Sequence, residues 1–218
     1  GFGGILILLW PEITSNQIFM QANQSDTLFN LYILEHCYKH FFSLSIFNPN
    51  EFWSPDFFWP LSKIITWSDH LIGPSFIYSF FRIFNNQFKA YILWIATTYF
   101  LNYLSLRLSF AKINEKTSEF WLNIISFSIA FSPIFSSFAE HQQLISLYFL
   151  GPILLNCNKV LTNEPEEISI SDIILLLSLC LINGFFNIYI FVYSFFGSSI
   201  CIFIYLIRLF KKKSINLN

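Results

Sequence analysis

The sequence predicts an all-α fold: a polytopic transmembrane helical bundle with a long extracytoplasmic first loop that contains interfacial helices. Of the 218 residues, 55% are hydrophobic and only 11% are charged, and the mean hydropathy is +0.55. Ordinary globular domains carry about 25% charged residues. The chain also contains 29 Phe, too many for one water-soluble core of this size. The surface must therefore face lipid.

Charge and cysteine content exclude several classes of function. The net charge is −1, which gives no indication of a nucleic-acid partner. The four cysteines show no paired spacing and three lie in apolar runs, which argues against a disulfide framework or a zinc site. The sequence has no P-loop, nucleophile elbow or dinucleotide fingerprint. Soluble nucleotide chemistry is therefore not expected, and the sequence indicates no definite cofactor.

Both ends of the chain suggest a single membrane domain, residues 1–218, that is the N-terminal portion of a larger protein. It starts "GFGGILILLW", with neither an initiator Met nor the basic n-region of a signal peptide. Ten apolar residues reach about 15 Å as a helix, half of a hydrocarbon core of about 30 Å. We interpret residues 1–10 as the end of a first span and residues 211–218 as a cytoplasmic tail.

Five further spans are predicted within residues 88–210. The last two come from one apolar run, 170–210, that is too long for a single span. In "NGFFNIY", Gly184 and Asn187 predict a tight reversal that divides it. The predicted spans are Phe88–Leu108, Phe120–Phe138, Leu144–Cys157, Ile170–Asn187 and Ile188–Phe210.

The segment "LIGPSFIYSFFRIF", residues 71–84, is ambiguous, because 14 residues reach only about 21 Å as a helix. The positive-inside rule decides against a span there. If 71–84 stays outside, eight of the twelve Lys and Arg fall in short inside segments, 107–118, 158–169 and 208–213. If it spanned, the Lys triplet near the C-terminus would lie outside. Residues 11–87 are therefore predicted to form one long extracytoplasmic loop.

This loop is too long for a simple connection and too apolar to be disordered. Its aromatic stretches, "HCYKHFFSLSIF", "EFWSPDFFWP" and "SFIYSFFRIF", favour helices in the membrane interface, where amphipathic rings prefer to lie. A loop of this length in a compact chain is usually functional. Candidate site residues are therefore sought first among its ionisable and polar side chains.

Asp26 is the first candidate, because this acid precedes a predicted helix, 27–41, in "ANQSDTLFNLYILEH". Asn30 lies four residues further on, so the two side chains share one helix face. At a water-accessible membrane surface Asp26 could act as a general base. Ser25 or Asp26 could equally cap the helix. The residues alone leave both roles open, and the two are compatible.

The loop also contains a possible metal-binding pattern and a second acid–histidine pair. Glu35, His36 and His40 include two histidines at the i, i+4 spacing that can hold a divalent metal on one helix face. The HExxH order is absent, however, and no further carboxylate stands at ligand spacing. No metal ligand is therefore assigned, and a divalent metal stays open as a cofactor. In "SDHL", Asp69 and His70 again precede an apolar segment, where helix capping and a role in the site are comparable explanations.

"FAEHQQL" forms the short predicted outer turn between two spans. Glu140 and His141 in this turn therefore lie on the same side of the membrane as Asp26. Ionisable groups at span ends are either simply solvated or functional. Glu140 and Asn30 are included among the candidate substrate-binding residues on the basis of this shared side.

The order of these features resembles the N-terminal half of the GT-C type polytopic membrane glycosyltransferases, especially uncharacterised bacterial members. The matching pieces are "SDTLFNLYILEH", "FNPNEFWSPDFFWPLS", "WSDHLIGPSFIYSFFRIF" and "IAFSPIFSSFAEHQQLISLYFLGPILL". Together they cover nearly all of residues 10–161. Two departures stand out: Ser25 occupies the place where the family commonly has Gly, and the second acid that some members keep beside the Asp is missing.

The resemblance implies transfer of a sugar from a polyprenyl-phosphate donor, with inversion, at the extracytoplasmic face of a bacterial inner membrane. It assigns Asp26 as the general base that deprotonates the acceptor hydroxyl. It places His141, with Gln142 or Gln143, near the donor phosphate or the acceptor. Asp69 and His70 would line the same cavity. The implied partners are the lipid-linked donor and the bilayer.

Two other functions are compatible with the sequence. The first is a non-enzymatic transporter or assembly factor for lipid-linked saccharides, which would be expected to carry ionisable residues within its spans. The predicted spans are nearly free of charge, which favours chemistry at the outer surface. The second is a structural membrane subunit whose aromatic loop only packs against partners.

Overall fold

In the computed structural model, every secondary-structure element of the described residues is a helix. The described ranges contain ten α-helices, one 3-10 turn and no strand, so the all-α prediction is confirmed there. The described residues are 2–14, 24–43, 48–55, 60–61, 63, 70–132 and 144–215. The helices are α1 Phe2–Leu8, α2 Trp10–Thr14, α3 Gln24–Phe42, α4 Pro49–Phe52, α5 Ile72–Arg82, α6 Gln87–Ile113, α7 Glu119–Ala130, α8 Leu150–Thr162, α9 Ile170–Phe186 and α10 Ile188–Ile215, with the 3-10 turn at Pro165–Glu167.

Local chemistry explains where several of these helices begin. The Asn86 side chain accepts a hydrogen bond from the Lys89 backbone N–H at 2.9 Å and caps α6. Ser169 and Asp172 form a reciprocal capping box at the start of α9, which satisfies backbone donors that the first turn leaves unpaired. Asn187 separates α9 from α10 in an extended conformation. The predicted reversal between these two helices is therefore confirmed.

Side-chain contacts fix the relative directions of the long helices. α7 runs antiparallel to α6, because Tyr103 bonds Asn123 at 2.6 Å while Arg107 pairs with Glu119. α9 and α10 form an antiparallel hairpin in which Cys180 Sγ lies 3.3 Å from Ser198 Oγ. α8 runs parallel to α6, with its later residues beside the C-terminal turns of α6. The chain direction therefore reverses from α6 to α7 and again from α7 to α8.

This arrangement gives the bundle two chemically different ends. The C-terminal ends of α6, α8 and α10 lie together with the N-terminal ends of α7 and α9. We call this the basic end, because it carries Arg107, Lys112, Lys159, Arg208 and Lys212. Arg208 Nη1 and Nη2 donate to the carbonyls of Leu161 at 2.6 Å and Asn163 at 2.7 Å and so join α10 to α8. The opposite, loop end consists of α3, α4, α5 and the tip of the α9–α10 hairpin.

Residues 145–149, here called the 145–149 segment, differ from the sequence prediction of a span starting at Leu144. They are not helical, and α8 begins only at Leu150. The Asn102 amide donates to the Ile145 carbonyl at 2.6 Å and accepts from the Leu147 N–H at 2.8 Å. Asn187 donates to the Leu144 carbonyl at 2.9 Å. Because these amides replace the missing helical hydrogen bonds, the buried backbone here can remain non-helical.

One helix of the described residues, Ile188–Lys212, is long and apolar enough to cross a membrane, with a mean hydropathy of 2.2 in its most apolar window. Only 6% of that window is buried. The apolar helices α7 and α9 are shorter. Among the described residues, length and composition thus support a membrane span in one of the five predicted segments, and the multi-pass arrangement stays a prediction.

Polar and apolar side chains are distributed differently from those of a water-soluble bundle. The buried set includes Asn102, Ser126, Asn183 and Ser198, each at 0% exposure. By contrast, large apolar side chains cover much of the outside of the described helices. Phe76, Phe80 and Phe84 of the α5 region, spaced at i, i+4 and i+8, are 58%, 61% and 74% exposed. Contiguous exposed apolar surface of this kind marks contact with a membrane or a partner.

Candidate functional site

Asp26 lies in the first turn of α3 at the loop end. The helix begins at Gln24, earlier than the sequence predicts, so Asp26 is the third helical residue and not an N-cap. A carboxylate in this turn interacts favourably with the positive end of the helix dipole. Its side chain is partly exposed, whereas Thr27 and Asn30 are buried. The predicted pairing of Asp26 and Asn30 on one helical face follows from this continuous helix.

His70 joins the start of α5 to the end of α9. Its Nδ1 accepts a hydrogen bond from the Ile72 backbone N–H at 3.3 Å, and its ring also bonds the backbone of Gly184. Burial lowers the pKa of His70 below its usual value of 6.5. The neutral ring can accept from one backbone group and donate to the other. His70 therefore connects two helix ends in its neutral form.

The structure does not bring His70 together with Asp26. Cys37 Sγ lies 4.0 Å from the carbonyl oxygen of His70. Cys37 is eleven residues beyond Asp26 on α3, which corresponds to a rise of about 16 Å along the helix. The backbone of His70 is thus located near the C-terminal half of α3, and Asp26 near its start.

The other predicted site residues lie outside the described residues. These are Asp69, which precedes His70, and the outer-turn residues Glu140, His141, Gln142 and Gln143. Their placement beside Asp26 stays a prediction. The described chain returns at Leu144, whose carbonyl is bound by Asn187 at the tip of the α9–α10 hairpin. Leu144 itself is thus bound at the loop end of the bundle.

A charged cluster that sequence reasoning missed holds α3 against α5. Arg82 Nε donates to Glu35 Oε1 at 2.5 Å, and the Tyr78 hydroxyl donates to the same carboxylate. The Arg82 guanidinium also lies 5.2 Å from the ring centre of Tyr38 and donates to the Asn85 carbonyl at 2.9 Å. Burial first, and the Glu35 carboxylate second, raise the pKa of Tyr78.

The signal for this cluster was present in the sequence. Arg82 is the only basic residue of the segment 71–84, and Glu35 is the acid in the apolar part of the helix that includes Asp26. Opposite charges in two apolar segments are expected to pair when both become buried. The Glu35 side chain is 13% exposed and that of Arg82 is 28% exposed. With its oxygens bonded in this way, Glu35 serves to hold two helices together.

The two histidines of the possible metal pattern lie against α4. The ring centres of His36 and His40 are 4.2 Å apart, and His36 Nε2 is 2.8 Å from the carbonyl oxygen of Phe52. The ring of Phe52 packs edge-on against His40. Within the described ranges, no group of three or more His, Cys, Asp or Glu side chains could hold a metal ion. The contacts instead attach α4 to α3.

Cys37 is the fully buried thiol of the loop end. Burial raises its pKa to about 12, partly offset by a hydrogen bond with Ser75. The thiolate is the nucleophilic form of cysteine, so this thiol is unreactive at neutral pH while the chain is folded. Cys37 therefore serves as a small apolar side chain in the packing of α3 against α5.

The described arrangement thus offers one partly exposed carboxylate, Asp26, on a helix fixed by the Glu35 cluster. Such a carboxylate can accept a proton from a hydroxyl group that reaches the loop end. No protein-family model, curated protein or solved structure matches this chain.

Proposed function

We propose that this chain is a membrane glycosyltransferase that moves a sugar from a polyprenyl-phosphate donor to an acceptor at the extracytoplasmic face. In this reaction the Asp26 carboxylate takes the proton of an acceptor hydroxyl. The hydroxyl oxygen forms a bond to the anomeric carbon as the carbon–oxygen bond to phosphate breaks. The lipid phosphate leaves with the bonding electrons, and the anomeric centre inverts.

The observation that carries the proposal is the position of Asp26. This carboxylate is partly exposed in the first turn of α3, a helix whose buried residues cluster with the N-terminal half of α6, away from the basic end. It also opens the stretch "SDTLFNLYILEH", on which the resemblance to GT-C enzymes depends. Since the positive-inside rule assigns the basic end to the cytoplasm, Asp26 would face the side on which the reaction is expected.

A multi-pass placement of α6–α10 is part of the proposal. It is supported by the apolar outer surface of α10 and by small or polar residues at helix contacts, a pattern typical of membrane bundles. The exposed side chains of Phe76, Phe80 and Phe84 in the α5 region suit a helix that lies in the membrane interface. The reactive phosphate of a polyprenyl donor would lie at headgroup depth, beside such a helix.

Asp26→Asn tests the mechanism, because the amide keeps the shape of the side chain but cannot take the proton. We expect sugar transfer from a panel of radiolabelled polyprenyl-phosphate hexoses to fall by about 10²- to 10⁴-fold. Glu51→Gln is the matched control, since Glu51 is an exposed acid at the same end, and its rate should not change. Full activity of a folded, inserted Asp26→Asn variant would disprove the role of Asp26 as base.

A transporter or assembly factor for lipid-linked saccharides is the second candidate. The observation that favours it is the 145–149 segment, because non-helical backbone held within a helical bundle is typical of transporter binding sites. Purified protein in vesicles loaded with a lipid-linked saccharide distinguishes the two functions. Movement of the saccharide between leaflets without release of lipid phosphate would favour this second candidate.

A further inference from the structure

A groove lies on the outside of the bundle between α6, α8 and α10, away from Asp26. Its volume is about 530 Å³. Along α8 it extends from Leu150 to Leu161, a rise of about 16 Å. Half of a bilayer hydrocarbon core is about 15 Å thick. The groove thus has the length of one leaflet, and it ends at the basic end.

The side chains that line the groove are mostly apolar, which suits a hydrocarbon chain. Gly197 forms part of the wall, and a Cβ atom built there would meet nothing within 4 Å. The space beside it is therefore open and would be filled in a membrane.

Polar groups are found at the end of the groove nearest the basic end. Asn158 lines the groove. Its backbone carbonyl accepts a hydrogen bond from Thr162 Oγ1 at 2.8 Å, but its side-chain amide makes none within the described part of the chain. An amide in an apolar groove favours a ligand that carries a carbonyl or hydroxyl oxygen. The ester groups of a glycerolipid are such oxygens at this depth.

Positive charge lies just beyond Asn158. Lys112 is exposed beside the groove residue Ile113 and forms no ion pair with any described residue. Arg208 lies seven residues after Cys201 on the groove-facing side of α10 and donates to backbone carbonyls, which leave its charge uncompensated. A phosphate group is the complementary partner for two such cations at a membrane surface.

We propose that this groove binds one anionic glycerophospholipid of the leaflet at the basic end. One acyl chain lies along the groove, an ester carbonyl accepts from the Asn158 amide, and the phosphate lies beside Lys112 and Arg208. The site requires the membrane placement of the bundle but not sugar transfer. It is located at the opposite end from Asp26 and is independent of the donor site.

Photolabelling in vesicles tests the site. The protein is reconstituted into phosphatidylcholine vesicles that contain a small fraction of phosphatidylglycerol with a diazirine on one acyl chain. After irradiation, peptide mass spectrometry should find label on the groove residues Cys157, Tyr193 and Cys201. Label should be about tenfold lower on Phe196 and Phe203, which are exposed on α10 outside the groove. Equal labelling of both sets would mean ordinary solvation by lipid and would overturn the proposal.

Two glycine variants form a matched pair for the same experiment. Gly197→Leu fills the groove, whereas Gly3→Leu adds the same side chain to α1, where a Cβ atom also meets nothing within 4 Å. We expect labelling of the groove to fall about tenfold in Gly197→Leu and to stay unchanged in Gly3→Leu. An unchanged pattern in Gly197→Leu would contradict binding in the groove.

Competition on the unmodified chain tests the headgroup without a variant. Excess unlabelled phosphatidylglycerol should suppress groove labelling about tenfold more effectively than diacylglycerol with the same acyl chains. Asn158→Leu and Lys112→Gln should each weaken this competition. If diacylglycerol competes equally, the phosphate contributes nothing and the proposed phospholipid site is refuted.

Discussion

At the scale of single residues, the Glu35 carboxylate determines how α3 is attached to α5. It accepts hydrogen bonds from both Tyr78 and Arg82 and is mostly shielded from solvent. A second arginine–glutamate pair, Arg107 with Glu119, has the same arginine exposure of 28%, but its carboxylate is 71% exposed. The two pairs therefore differ mainly in how much water surrounds the acid.

Replacing each arginine by alanine measures this difference. We expect Arg82→Ala to lower the free energy of unfolding by about 1–3 kcal/mol, because a mostly buried carboxylate loses its cation. Arg107→Ala should cost about 1 kcal/mol or less, because water can solvate Glu119. Urea unfolding in a mild detergent, followed by circular dichroism, checks both values. A larger loss for Arg107→Ala would contradict the role given to Glu35.

His70 illustrates a second residue-scale effect, in which protonation acts on stability. Burial lowers the pKa of His70 in the folded chain, while the unfolded chain keeps a value near 6.5. Between these two values the unfolded state binds more protons, so the free energy of unfolding rises with pH. The stabilisation is complete above about pH 6.5 and decreases as the pH falls below it.

His70→Asn should remove this pH dependence, because Asn Oδ1 can still accept from the Ile72 N–H but does not titrate. We expect the melting temperature of the unmodified chain to fall between about pH 6.5 and about pH 5. The variant should show a smaller slope over the same window. Melting curves recorded in one detergent at constant ionic strength make the comparison. Equal slopes would show that His70 is not the titrating group.

At the scale of elements, close backbone contacts at glycines position the helices. A Cβ atom at Gly151 would lie 2.6 Å from the backbone carbonyl oxygen of Ser105, and one at Gly73 would lie 2.7 Å from that of Phe185. Neither backbone can move aside as a side chain could. Gly151 thus lets the start of α8 approach α6, and Gly73 lets α5 lie across the tip of α9.

Gly151→Ala should therefore destabilise the bundle by about 1–3 kcal/mol, the usual cost of overpacking. The added methyl group must push α8 away from α6 and strain the neighbouring 145–149 segment. Gly197→Ala is the matched control, because its Cβ atom meets nothing within 4 Å and Ala favours the helix. Thermal unfolding of both variants measures the contrast. Equal stability would mean that α6 and α8 can separate without cost.

The sequence could predict most elements but neither the start of α8 nor the end of α7, which stops at Ala130, short of the predicted Phe138. Gly184 and Asn187 in an apolar run predict the division between α9 and α10, because local turn chemistry decides it. The 145–149 segment is as apolar as a helix, so hydropathy predicts a helix from Leu144. What keeps it non-helical is the amide of Asn102, which is distant in the sequence. Such tertiary hydrogen bonds override local propensity and leave no local signal.

At the scale of the whole molecule, contacts divide the described helices into two ends, and the membrane topology predicted by the positive-inside rule stays a prediction. Every described Lys and Arg of the predicted inside segments belongs to the basic end. α3, α5 and Arg82 belong to the loop end. The described part of the site was less predictable. Asp26 and His70 are both at the loop end, but positions along α3 separate them, and sequence order cannot give such a distance.

Site-directed labelling tests this division across a membrane. Cys37 cannot report it, because burial raises the pKa of its thiol to about 12. Leu28 is 52% exposed on α3 and Lys112 is exposed on α6, so cysteines at these two positions are suitable. In intact cells, an impermeant maleimide should label Leu28→Cys and not Lys112→Cys, and lysis should expose the second. Labelling of Lys112→Cys from outside would mean that 71–84 spans.

The ion pairs of the basic end have a consequence for how such a chain would be made. Lys159 bonds Asp172 at 2.7 Å, and Lys212 bonds Glu166 at 2.6 Å and Glu164 at 3.2 Å. During insertion, lysines orient a nascent chain while acids have little influence. Once folded, these lysines join α8, α9 and α10. Lys159 and Lys212 would thus first orient the chain during membrane insertion and later form ion pairs between the folded helices.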